Sequence, residues 1–204
     1  MTAPAHTDRF TGLRKLPDAP AARILAAGNA VLQTPLDLPA SASVPETLAA
    51  LETEGALIDM LQVLAHALPA REATWLACLA ARETVAEGAL MPAPLRAAEA
   101  WVFKPGPETR AAARAALDAA GNEDDTALCA MAASMADGTL GPGELEDYAA
   151  PPGAVGGAAF GMLLTALFHD EDKVETRGPE LLARALDIAR GGNGTPAATE
   201  EITP

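Results

Sequence analysis

Apolar residues recur at helical spacing along most of the chain. Leu48, Leu51, Ile58, Leu61 and Leu68 mark one stripe, and Leu57 and Leu64 widen it until the helix is enclosed, the pattern of a core helix. Ser43 precedes it as an N-cap, with Pro45 in the first turn and Glu46 three positions after the cap, a capping box. This predicts one long helix from Ser43 to Leu68. Upstream, Asp18 is placed to cap a short helix through Ala21, Ile24 and Leu25 to about Val31, and Pro35 and Pro39 then forbid its continuation.

After Leu68-Pro69, a helix carrying Arg71, Glu72, Trp75, Leu76, Cys78 and Leu79 is expected to run to about Gly88. A further helix from Leu95 to Phe103 puts Leu95, Ala98 and Val102 on one face, with Trp101 and Phe103 flanking it. Glu108 to about Ala120 follows, with an acidic first turn and Gly121 as terminator. The next helix starts at Asp124 or Asp125 and closes at Gly138; the last two run from Ala154 to Phe168 and from Pro179 to Arg190. Ahead of Ala154, the stretch 138–152 is too rich in Gly and Pro for regular structure and longer than an ordinary connection. It reads as a mobile surface loop, with Leu145 and Tyr148 as its large apolar groups. No constant period relates the helix pairs, so a repeat architecture is not indicated. The expectation is an all-α fold: an irregular bundle of about seven or eight helices in a single domain over residues 18–190, with disordered tails at 1–17 and 191–204.

Composition agrees with that picture. Hydrophobic residues make up 50% of the 204, but aromatics only 3%; the apolar content is mostly Ala, Leu, Val and Met, which favours helix over strand. The net charge of −14, from 28 acidic and 14 basic residues, repels nucleic acid and anionic lipid and points to a basic partner. The first residues lack a basic region followed by an apolar stretch, so no secretory signal is read there. Ala154–Phe168 carries no charge over fifteen residues, short of the roughly 20 a membrane span needs. It is expected to be a central core helix whose glycines admit a neighbouring backbone. A cytoplasmic protein without a membrane span follows.

Catalytic chemistry is sparse. Cys78 and Cys129 sit in apolar helical patterns without zinc or disulfide spacing. Of the three histidines, His6 lies in the tail and His66 near a helix end; pairing His66 with Cys78 has no motif around it. The run His169-Asp170-Glu171-Asp172 with Glu175 could attract a cation but lacks calcium-loop spacing, and it reads as a solvated rim. Gly153-Ala-Val-Gly156-Gly157 follows no strand and precedes no Lys-Ser or Lys-Thr, so it is no nucleotide loop. No cofactor, metal ligand or catalytic residue is assigned.

The run from Leu68-Pro-Ala-Arg71-Glu72-Ala-Thr-Trp75 to Ala77-Cys78 and Arg82 resembles the opening of an uncharacterised bacterial all-helical family, with Leu-Pro-x-Arg-Glu-Ala, tryptophan, Ala-Cys and Arg in order. Ala97-Ala98-Glu99-Ala100-Trp101-Val102 and the Gly138-Thr-Leu-Gly-Pro loop leading to Pro151-Pro152 extend the resemblance over about residues 60–170; Leu76 stands where many members have a second tryptophan. The resemblance implies an accessory protein whose genes neighbour type VI secretion components. The expected function is then a non-catalytic adaptor acting by protein–protein binding. Its candidate partner-binding residues are Arg71, Glu72 and Trp75, with Trp101, Leu145 and Tyr148. The alternatives are a small thiol- or metal-dependent enzyme and an immunity protein against a basic toxin. For Arg71 and Trp75, a guanidinium stacked on indole and paired with a carboxylate would equally be a structural clamp between helices.

Overall fold

The computed structural model describes residues 8–195, and the expectations for residues 1–7 and 196–204 lie outside them. Among the described residues there are nine α-helices and no strand: α1 Ala21–Ala27, α2 Val44–Thr53, α3 Leu57–Ala67, α4 Ala70–Arg82, α5 Ala93–Phe103, α6 Pro107–Asp118, α7 Ala127–Ser134, α8 Ala154–Phe168 and α9 Val174–Arg190. They pack as an irregular bundle. The uncharged α8 is its axis, packed against α3, α4, α7 and α9, while α5, α6 and α7 form a mutually packed flank joined to the rest through α4 and α8. Met162, Leu163 and Leu167 of α8 meet Leu61, Leu64, Leu76 and Leu181 in one fully buried cluster. No helix among the described residues is long and apolar enough to cross a membrane.

Several boundaries differ from the sequence expectation, each for a local reason. The long 43–68 helix is two helices, because Gly55 adopts φ +65° and the Ala56 amide turns back to the Leu51 carbonyl; glycine alone takes that conformation without cost. The capping box at its start is present, Ser43 Oγ accepting from the Glu46 amide and Glu46 Oε2 accepting from the Ser43 amide. α1 starts after Pro20 rather than on an Asp18 cap and stops at Gly28-Asn29, where Asn29 has φ 50°. α4 ends at Arg82 instead of near Gly88, since Thr84 Oγ1 bonds the Ala81 carbonyl and Glu83 turns to Arg184 and Arg177. α7 stops at Ser134, whose hydroxyl folds back to the Met131 carbonyl. α9 begins at Val174 and carries Pro179 in its second turn, where the missing N–H leaves the ladder without the bond to the Glu175 carbonyl.

Both tail boundaries also need correction where the chain is described. Phe10 and Leu13 are buried, Lys15 donates its amide to the Ala189 carbonyl, and Arg190 reaches the carbonyls of Arg9 and Thr11. Residues 9–17 are therefore part of the packed domain, held by α9. At the other end, Gly191 caps α9 at φ +99°, and the amide of Gly194 donates to Asp187 Oδ2 at 2.8 Å. The polar composition of both stretches hides these contacts, because the first uses backbone groups with Phe10 and Leu13 and the second uses backbone groups alone.

α8 behaves as expected of a glycine-bearing core helix. A Cβ on Gly156 would lie 2.7 Å from His66 Nδ1 and 2.9 Å from His66 Cα, and one on Gly161 would press on Leu128. Gly157 faces open space, so it has no such role.

Candidate functional site

Arg71, Glu72 and Trp75 lie on the first two turns of α4, with Trp75 at i+4 from Arg71 and i+3 from Glu72 and so beside both. Beside them run the end of α5, with Val102 and Phe103, and the turn after α9, with Gly191, Gly192 and Asn193; Lys15 closes the rim. Together they line an open cleft of about 250 Å³. Its wall is aromatic: the Trp75 and Phe103 rings meet edge to face, centroids 5.4 Å apart at 63°. Phe103 remains 67% exposed. Trp75 is half-buried, and its Nε1–H donates to the Asn193 carbonyl at 2.8 Å.

The expected guanidinium–indole clamp exists, but with a different arginine. Arg82, seven residues after Trp75 and so on the same helix face, stacks on the indole with its Cζ 5.7 Å from the ring and pairs with Glu99 through two bonds of 2.5 and 2.8 Å. Arg71 instead donates its Nε to the Val102 carbonyl at 2.7 Å, helping to satisfy the end of α5. Glu72 is taken by Lys15 at 2.7 Å. Arg71 is exposed, and its terminal nitrogens meet no carboxylate among the described residues.

The other candidates are dispersed. Trp101, 8% exposed, points into the core and takes no part in the cleft. Leu145 and Tyr148 belong to the 138–152 stretch, which is more regular than expected: a 3-10 helix at Gly143–Asp147, an antiparallel bridge between Thr139 and Ala149, and backbone bonds from Leu140 to Tyr148 and from Ala150 to Gly138. Arg110 of α6, itself buried, fastens this strap by donating to the Ser134 carbonyl and Thr139 Oγ1 while pairing with Asp137 and Glu146. Leu145 is half-buried over Gly141; Tyr148 is 61% exposed. The structure thus supplies the anchor the sequence reading lacked, a cation from a distant helix.

The thiols and the histidine are elsewhere. Cys78 and Cys129 are free and wholly buried, and the Cys78 thiol is pushed up by its hydrogen bond to Cys129 and then by burial. His66 is half-buried against Gly28 and Gly156, and burial lowers its pKa below 6.5. Asp170 caps the short 3-10 helix before α9, accepting from the Asp172 amide and pairing with Lys173. Among the described residues no three His, Cys, Asp or Glu side chains gather as a ligand set.

Fold and cleft define the class: an all-helical single-domain protein with a mixed aromatic and cationic groove on its surface. The chain belongs to a family of unknown function, DUF6931, whose profile matches residues 47–189. No curated protein and no solved structure matches it. Phe103 and Lys15 were not among the sequence candidates. Phe103 carried a signal, as a large aromatic off the apolar face of α5; Lys15 carried none.

Proposed function

We propose that this protein is a non-catalytic adaptor that holds another protein in the cleft between α4, the end of α5 and the turn after α9. The observation that carries the reading is the exposed Phe103 edge-on to Trp75, beside an arginine without a carboxylate partner among the described residues. Aromatics and arginine at the rim of a groove are the residue types that dominate binding energy at interfaces. The thiol-enzyme alternative loses support on physical grounds: a nucleophile must be reachable and deprotonated, while Cys78 is enclosed and its thiol pushed up.

In this reading the adaptor works in the cytoplasm, and the partner is a component of the type VI secretion apparatus. The link to that apparatus rests on the family resemblance alone. The test is copurification from the native host with tagged wild type, Phe103→Ala, Arg71→Ala and Tyr148→Ala. A partner retained by the wild type and by Tyr148→Ala, yet lost from both cleft variants, supports the cleft. Loss with Tyr148→Ala alone transfers the role to the 138–152 strap, a partner kept by all four excludes both sites, and no specific partner on the wild type removes the adaptor reading.

A further inference from the structure

The net charge of −14 favours a basic partner, yet the cleft has the opposite local balance. Of its three charged lining residues, Lys15 and Glu72 cancel each other at 2.7 Å, so the surplus is that of Arg71. Arg71 is also pre-positioned. Its Nε is committed to the Val102 carbonyl, which orients the guanidinium and leaves its two terminal nitrogens as a fork of donors at the cleft. Lys104, next to Phe103, is exposed and pairs with no carboxylate among the described residues. A carboxylate behind the turn after α9, Asp187 against Gly192, accepts the Gly194 amide and offsets Lys104 in the local charge count, and the acidic surplus lies elsewhere, at Glu123 to Asp125 before α7 and at Glu144, Glu146 and Asp147 on the strap. At physiological ionic strength, exposed charges more than about 8 Å apart are largely screened, so contact in the cleft is governed by Arg71 rather than by the whole-molecule charge.

We infer that the segment bound in this cleft is acidic: a peptide stretch whose carboxylate meets the Arg71 fork while an adjacent aliphatic or aromatic side chain covers Trp75 and Phe103. A planar guanidinium recognises a carboxylate through two parallel bonds, and a neighbouring aromatic wall selects for an apolar flank. This rests on the cleft being a protein-binding site and specifies its partner further.

The test titrates the full chain with two blocked peptides of equal length and apolar content, Ac-EEIFEG-NH2 and Ac-KKIFKG-NH2. Binding is followed by tryptophan fluorescence and by the Trp75 indole N–H resonance. The acidic peptide is expected to saturate and the lysine peptide to leave Trp75 unmoved. Arg71→Gln should weaken acidic binding by about fivefold, the scale of a partly exposed charged contact, with Arg71→Lys intermediate because it keeps the charge and loses the fork. Phe103→Ala should weaken binding without changing the preference for acid.

Preference for the lysine peptide, or indifference of the acidic peptide to Arg71→Gln, overturns the acidic assignment while leaving the protein-binding reading standing. If neither peptide moves Trp75, the assignment is overturned and the copurification experiment alone decides the wider reading. Concentration-dependent self-association abolished by Phe103→Ala would also overturn it, making a second copy of the chain the occupant.

Discussion

Trp75 is held on three sides: Phe103 at its edge, the Arg82 guanidinium over its face and the Asn193 carbonyl at its N–H. Its remaining surface opens on the cleft, which makes it both a packing residue and a contact residue. A fully buried tryptophan truncated to alanine loses about 3–5 kcal/mol; for this half-buried indole, Trp75→Ala is expected to lose about 1–3 kcal/mol, read from urea unfolding midpoints. A loss as large as that of a core residue would mean that the cleft closes over the ring in solution. The sequence placed an arginine, a carboxylate and an indole together, and that grouping is real. It named Arg71 and Glu72 because they adjoin Trp75 in the chain, whereas the pair that clamps the ring is Arg82 with Glu99. Position 82 was legible as one heptad on from 75, but Glu99 comes from another helix.

At the scale of elements, the 138–152 strap shows how a Gly- and Pro-rich segment becomes ordered without a hydrophobic core of its own. Arg110 contributes the bonds that the segment cannot make internally, and it does so from a buried position on α6. Arg110→Ala should therefore act on the strap before it acts on the bundle. Expected are a loss of about 2–3 kcal/mol, the scale of removing several charged hydrogen bonds that leave the Ser134 carbonyl unsatisfied, and accelerated hydrogen exchange at the amides of Leu140 and Ala150. Unchanged exchange at those two amides would show that the Thr139–Ala149 bridge and the 3-10 helix hold the strap by themselves. Most helices were legible because caps and apolar spacing are local signals. The break at Gly55 and the early end of α7 were not, since in each case a competing backbone or hydroxyl bond decided the outcome.

For the whole molecule, the packing of α8 on α3 places the His66 ring against Gly156 and Gly28. Burial holds the imidazole pKa below its ordinary 6.5, so the folded state binds fewer protons there than the unfolded state does. Its contribution is fully present above about pH 6.5 and is lost as pH falls through the lower folded value. Stability should decline from pH 7.5 to 5.5, and His66→Gln should flatten the decline. Glu46 and Asp170, whose carboxyls are lowered by Ser43 and Lys173 respectively, titrate below that window and leave it to histidine. An unaltered slope in the variant would show that His66 does not carry the pH dependence.

By itself, the sequence determined the helical class, the central uncharged helix and the grouping of Arg71, Glu72 and Trp75 on one stretch of helix, because periodicity, caps and i,i+4 adjacency act within a few residues. Only the tertiary structure decided that the grouping is the wall of a cleft. Lys15, Trp75, Phe103 and Asn193 are far apart along the chain, and what joins them is the way α4, α5 and α9 pack. The same packing turned Trp101 inward and left Phe103 exposed, although both lie on α5 two residues apart. The local charge of the cleft is likewise a tertiary property: summed over the chain the acidic residues win, but which cations lose their carboxylate partners depends on which side chains the folded bundle brings within reach.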